Sequence, residues 1–146
     1  MIFEEKPDVF EPWYHTVTVF LSNSKGKFLF LRRGNDKHEG GKFCTPGGKR
    51  EGKETSAETV IREIKEETGI DLNKKDLKYF KKLYIKYPDH DFLFEMFEAK
   101  LDYEPDVVLR LDEHSEFVWA TLDEAMNLPL VLDGTSCIKL FRGKLE

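Results

Sequence analysis

Three glutamates, Glu63, Glu66 and Glu67, stand beside Arg62 in a stretch that follows a Pro46-Gly47-Gly48 turn. At about 100° per residue on a helix, their carboxylates fall within one arc of roughly 100° and project together. Like charges three and four residues apart cost a helix about a few tenths of a kcal/mol per pair, so the cluster is unfavourable unless something positive sits above it. Hard oxygen donors at this density suit Mg²⁺ or Mn²⁺, which keep several waters and are completed by substrate phosphates rather than enclosed by protein. The chemistry that follows is metal-assisted attack of water on a pyrophosphate.

A glutamate-rich helix face is also a common solvated surface, and Arg62 could simply pair with Glu58 and Glu66 four residues to either side. The wider spacing argues for the metal. Gly48, Glu54, Arg62, Glu63, Ile64, Glu66, Glu67, Gly69 and Ile70 together form a fixed set of types and separations. Average residue frequencies put a chance match on the order of one in a million per chain.

The elements that must hold these residues are legible around them. Thr55 with Glu58 three residues later fits a capping box, and Gly69-Ile70 fits a glycine C-cap with its hydrophobic contact. Between these caps Ala57, Val60, Ile61 and Ile64 form one apolar stripe of a helix. Upstream, residues 16–21 and 27–31 are β-branched or apolar on either side of a turn-rich stretch, which predicts a hairpin. Residues 34–42 read as a loop and Pro46-Gly47-Gly48 as a tight turn. Downstream, 77–86 and 92–101 read as strands separated by a turn at 87–90, and 117–120 as a short strand. Two helices close the chain, one from Thr121 with Glu124 at the capping-box position, one starting near 133–136 with Cys137, Leu140 and Phe141 on one side. Residues 1–12, with Pro7 and Pro12, read as an irregular lead-in. This order predicts a single α/β domain over residues 1–146, a mixed sheet flanked by helices on two faces.

Bulk properties bound the function. The 146 residues fit one domain, 40% of them are hydrophobic, and the net charge is −5. That charge disfavours tracking a long nucleic acid, yet a few cations and a bound divalent ion can still hold a small phosphorylated ligand. Cys44 and Cys137 lack metal-ligand spacing and argue for reduced thiols. The N-terminus carries acids where a secretory signal has a basic region, and no apolar run approaches a membrane span. The expectation is a cytoplasmic protein without membrane segments.

Residues 48–70 match the Nudix box, and the order of elements around them resembles the Nudix hydrolase fold, an α/β/α sandwich with a mixed β-sheet. The resemblance implies Mg²⁺- or Mn²⁺-dependent hydrolysis of a nucleoside diphosphate linked to another moiety, such as a nucleoside triphosphate, a dinucleoside polyphosphate, ADP-ribose or a nucleotide sugar. It implies that Glu63, Glu66 and Glu67 are metal ligands, with the Gly48 carbonyl as another. Glu54 would support them or bind a further metal, and Arg62 would orient a carboxylate of the cluster. Family members often add a glutamate from a loop ahead of a strand tryptophan. Glu113, six residues before Trp119, is preferred here as ligand or general base over Glu116. Phe43 falls where the family carries a tryptophan, a change expected to affect packing alone. Many members dimerise, but nothing in the sequence identifies an interface.

Substrate clues lie outside the box. Trp13, Tyr14, Phe43, Tyr84, Tyr87 and Phe92 could stack a base or sugar. Arg32, Arg33, Lys37, His38, Lys42 and Lys49 surround the loop before the box and could meet phosphate oxygens. Among these, Arg32, Arg33, Phe43, Lys49 and Tyr87 are carried forward as substrate contacts. Tyr87 lies seventeen residues past Ile70, where some family branches mark dinucleoside polyphosphate hydrolases with a tyrosine, while the neighbouring Pro88 resembles the mark of ADP-sugar hydrolases. His15 reads as a structural histidine. Two other functions fit the fold: a non-catalytic nucleotide-sensing module, and an isoprenoid diphosphate isomerase, whose type uses a cysteine just before the box, as Cys44 is.

Overall fold

The computed structural model describes the backbone of residues 1–145 and the side chains of residues 1–143. Its central strand, β2 (Pro12–Ser22), is buried on both faces from Val17 to Ser22. Strand alternation sends Phe20 into one core and Val17, Val19 and Leu21 into the other. β3 (Phe28–Arg33) repeats the pattern, with Phe28 and Phe30 in the first core and Leu29 and Leu31 in the second. Each core is closed by a helix. α1 (Ser56–Thr68) lays Val60 and Ile64 on the second, and α3 (Gly134–Leu145) lays Ile138 and Phe141 on the first.

The strands order as β1 (Ile2–Phe3), β6 (Leu77–Lys86), β7 (Asp91–Lys100), β2, β3 and β4 (Phe43–Cys44). β5 (Gly47–Lys49) also pairs with β2, and β8 (His114–Ala120) with β3. The β2–β7 pair is parallel and the others are antiparallel, so the sheet is mixed, as expected. A four-residue helix, α2 (Leu122–Ala125), follows β8, capped by Thr121 and Glu124 in the expected capping box. No described helix is long and apolar enough to cross a membrane.

Three expectations change. The 16–21/27–31 segments turn tightly, with Asn23 N–H donating to Lys27 O at 2.9 Å, but β2 and β3 pair only at Ser22–Phe28 and then diverge. A strand buried on both faces needs partners along both edges, and β2 takes β7 on one and β5 on the other. The lead-in is not wholly irregular, because Ile2 and Phe3 pair with Ile85 and Tyr84 as an edge strand. Pro46-Gly47-Gly48 runs into a strand rather than forming a tight turn: Gly47 and Gly48 lie opposite Thr18 and Val17.

α1 is bounded as its sequence predicts. Thr55 accepts from Glu58 N–H while Glu58 accepts from Thr55 N–H, and Gly69 closes the helix at φ 76° with its N–H on Lys65 O. Removing the cap hydroxyl with Thr55→Ala should cost about 1 kcal/mol, a drop of roughly 2–4 °C in thermal midpoint for a domain near this size. Calorimetry checks this, and an unchanged midpoint would show that packing alone sets the start of α1.

Candidate active site

β5 and α1 face each other at the head of the site. An alanine Cβ at Gly48 would lie 2.3 Å from Glu63 Cδ, so the absence of a side chain is what lets the Glu63 carboxylate lie against β5. Arg62 organises the neighbouring carboxylates. Its Nε donates to Glu54 Oε2 at 2.6 Å and its Nη2 to Glu54 Oε1 at 3.0 Å, a bidentate pair. Nη1 donates to Glu63 Oε1 at 2.9 Å and Glu66 Oε2 at 3.3 Å, and Nη2 also reaches Lys49 O at 3.1 Å. These bonds, with the Glu51 N–H, hold Glu54 down to about 2, and they raise Arg62 above its ordinary value. Burial nevertheless pushes Glu63 up.

Glu67 has no such partner. Its Oε1 accepts Gly47 N–H at 3.0 Å, and its Oε2 stands 3.7 Å from His114 Nε2. Burial first, then the charges of Glu63 and Glu113, push it up to about 8. His114 is 3% exposed, and burial with the Arg33 charge holds its imidazole below the ordinary range. Among the described residues no three acidic, histidine or cysteine side chains already converge on an ion. The Arg62 guanidinium lies among Glu54, Glu63 and Glu66 instead. The donor set still fits a hard divalent cation: it is all oxygen, and its innermost carboxylate carries charge that nothing nearby neutralises.

The carboxylates open onto a cavity of about 880 Å³. Glu67, Gly48, Lys49 and Arg33 line it, together with an aromatic wall. Tyr14 stacks on Phe92 at 5.0 Å, Tyr87 meets Phe92 edge-on at 5.0 Å, and Lys49 Nζ lies 4.3 Å from the centre of the Tyr14 ring. At the mouth, exposed Trp13 stacks on His90 at 4.8 Å, and His90 shares a 2.9 Å hydrogen bond with Tyr14.

The NUDIX domain family model matches residues 14–141 of this chain. The chain belongs to the NUDIX domain family. An 8-oxo-dGTP diphosphatase of Escherichia coli (strain K12) is 36% identical over 69 residues, which cover 47% of this chain and 52% of that protein. The chain thus spans about half the length of that curated relative. The crystal structure of a MutT protein from Methanosarcina mazei Go1 superposes with a TM-score of 0.75 at 26% identity, covering 95% of this chain and 100% of that one. The NUDIX domain of Shewanella oneidensis NrtR, crystallised with ADP ribose, superposes at 0.78 with 19% identity, over 97% and 94% of the two chains, a likeness of fold alone.

Within the NUDIX fold the sequence candidates separate. Glu54, Arg62, Glu63 and Glu66 form one bonded cluster, and Gly48 and Glu67 adjoin it on the cavity side. Glu113 is half-buried and acts on Glu67 through its charge. Arg33, Phe43, Lys49 and Tyr87 line the cavity. Arg32 does not. Adjacent strand residues point to opposite faces, and Arg32 turns away to donate to Gly41 O at 2.9 Å and Glu116 at 3.1 Å. Tyr84, Lys37 and Lys42 are likewise absent from the lining. His15 pairs with Glu95 on β7, outside the lining.

Two cavity residues went unread in the sequence, His114 and Asp133. His114 sat inside the stretch searched only for glutamates. Its signal is that β8 starts at His114 rather than 117, since a register shift between Arg32 and Arg33 extends the pairing to it.

Proposed function

We propose that this chain hydrolyses a phosphoric anhydride in a nucleoside diphosphate linked to another moiety, with Mg²⁺ or Mn²⁺ as cofactor. The observation that carries this reading is Glu67, a buried, uncompensated carboxylate at the junction of an arginine-tied glutamate cluster and an aromatic-walled cavity. Glu63, Glu66, Glu67 and the Gly48 carbonyl would hold the ion, whose chemistry when bound is to neutralise phosphate oxygens and make a water more acidic. The chain's own residues do the rest. Arg62 fixes Glu54, Glu63 and Glu66 relative to one another, so little reorganisation is needed as charge develops. Arg33 and Lys49 offer donors to phosphate oxygens, and Tyr14, Phe92 and Tyr87 offer flat faces to a base. Glu113 or Glu67 accepts the proton lost by the attacking water. The names of relatives acting on 8-oxo-dGTP and holding ADP ribose point to nucleotide chemistry of the same kind.

Cys44 weighs against an isomerase: burial pushes its thiol up to about 12, and its Sγ donates to Leu31 O at 3.6 Å. The complete set of box carboxylates weighs against a purely sensing module.

Hydrolysis of nucleoside triphosphates, dinucleoside polyphosphates, ADP-ribose and nucleotide sugars should be measured with Mg²⁺ and Mn²⁺ in ¹⁸O-water, which reports both the substrate and the phosphorus attacked. Glu66→Gln should lower the rate on the best substrate on the order of 10²–10⁴-fold, the worth of several kcal/mol of charge stabilisation. No turnover across the panel would end the hydrolase reading, and an unaffected Glu66→Gln would remove the ion from it.

A further inference from the structure

We propose that Asp133 reads the paired N–H edge of a guanine-type base held against the aromatic wall of the cavity. The proposal rests on the nucleotide reading above and adds to it a base and the residue that selects it.

Asp133 precedes α3 and has φ 65°; with Glu39, at 54°, it is one of two described non-glycine residues in the left-handed region. Such a backbone persists where the surroundings dictate it. Here they do so from both sides. Phe43 N–H donates to Pro129 O at 2.8 Å and Val131 N–H returns to Phe43 O at 3.1 Å, which ties the segment to β4. The Glu39 carboxylate accepts Leu132 N–H at 2.7 Å, and Gly134 N–H bonds Val131 O at 2.9 Å. Asp133 O accepts Cys137 N–H at 3.1 Å as α3 begins. The residue is thus fixed at the cavity wall by bonds that do not involve its own side chain.

That side chain is left with unfilled capacity. Asp133 Oδ2 is shielded from solvent and has no hydrogen-bond partner among the described residues. A buried acceptor without a donor is destabilising, and more so when charged. The carboxylate is close enough to Tyr87 that, after burial, its charge is the chief cause holding the Tyr87 hydroxyl up at about 12. Asp133 and the aromatic wall therefore belong to one end of the cavity, while Arg33, Lys49 and Glu67 supply the charged groups suited to phosphates and their cation.

An anionic acceptor repels phosphate and takes N–H or O–H donors. Flat rings beside it favour a heteroaromatic ligand whose donors lie in the ring plane. Guanine presents N1–H and N2–H side by side, which matches a carboxylate with two charge-assisted bonds. Adenine and cytosine set a ring acceptor beside their amine, and uracil flanks its single N–H with carbonyls, so each brings an acceptor against the carboxylate. A ribose diol is the competing donor, and the test separates it.

The test is calorimetric binding of GMP, IMP, AMP and 2′-deoxy-GMP, with Mg²⁺, to wild type, Asp133→Asn and Asp133→Ala. Wild type should bind GMP roughly 10-fold or more tighter than IMP, which lacks the 2-amino group, and roughly 10–100-fold tighter than AMP. Both variants should reduce the GMP/AMP ratio to about 3 or less. The GMP/IMP comparison uses wild type alone and stands even if the variants fold poorly. Equal binding of GMP, IMP and AMP, no nucleotide binding, or a variant that keeps the ratio would overturn the proposal. So would a loss common to all bases that tracks the 2′-hydroxyl, which assigns Asp133 to the ribose. A guanine preference without hydrolysis of any nucleotide would sink the hydrolase reading while leaving Asp133 as the base reader.

Discussion

Glu67→Gln is expected to lower turnover on the order of 10²–10⁴-fold and, in the same protein stripped of metal, to raise the unfolding midpoint at alkaline pH. The two effects share one cause. A carboxylate placed to attract a cation is, without one, a buried charge beside two others: burial, Glu63 and Glu113 lift Glu67 from 4.5 to about 8. A group raised on folding contributes stability that is fully present below its unfolded value and is lost as pH rises through its folded value. The chelated wild type should therefore lose stability between roughly pH 5 and pH 8, by an amount on the order of a few kcal/mol from this group. Glutamine keeps an oxygen to accept Gly47 N–H and carries no charge, so the variant should not show that slope. Urea unfolding in EDTA at pH 6 and pH 8.5 measures it. Added Mg²⁺ should raise the wild-type midpoint at pH 8.5 by mass action and leave the variant nearly unmoved. A variant no more stable than wild type at pH 8.5 would mean that the Glu67 charge is already satisfied by the protein.

What the sequence disclosed and what it hid divides by the range of the determining contacts. α1 was legible because its caps, its apolar stripe and its acidic face lie within one short stretch, so side chains i, i+3 and i+4 decide it locally. The 16–21/27–31 hairpin was misjudged because local turn chemistry fixes the bend at 23–27 but not the partners beyond it. Those depend on β7, some seventy-five residues away along the chain. Arg32 and Arg33 were indistinguishable as neighbours in a basic loop. One residue of strand register sends Arg33 to the cavity and Arg32 to Glu116. Asp133 was hidden for another reason. Its role as cavity lining arises only where the segment after α2 meets β4 and the Glu39 loop, and an Asp-Gly pair announces a turn without saying what the turn faces.

Alanine at Gly47 and at Gly48 should fail in different ways, though the two changes add the same methyl to adjacent residues. At Gly47 the new Cβ would lie 2.1 Å from Val17 O and 2.9 Å from Thr18 Cα, which are backbone atoms of the central strand. β2 is held along both edges, so it cannot yield without breaking pairs with β7, and Gly47→Ala should lose about 3 kcal/mol or more, or fail to reach the native state. At Gly48 the obstructing atoms belong to the Glu63 carboxylate, the far end of a flexible side chain. That group can swing away, so Gly48→Ala should keep its fold with a modest loss of stability. The movement carries Glu63 away from Arg62 Nη1, now 2.9 Å distant, and out of the cluster. A displacement near 1 Å at a reacting centre can lower a rate about 10²-fold, and an effect of at least that size is expected here. Circular dichroism with urea unfolding sorts the pair by stability, and turnover of the best substrate sorts them by function. A well-folded Gly47→Ala would contradict the packing of β5 on β2. A fully active Gly48→Ala would show that the position of Glu63 against β5 is not what the glycine protects.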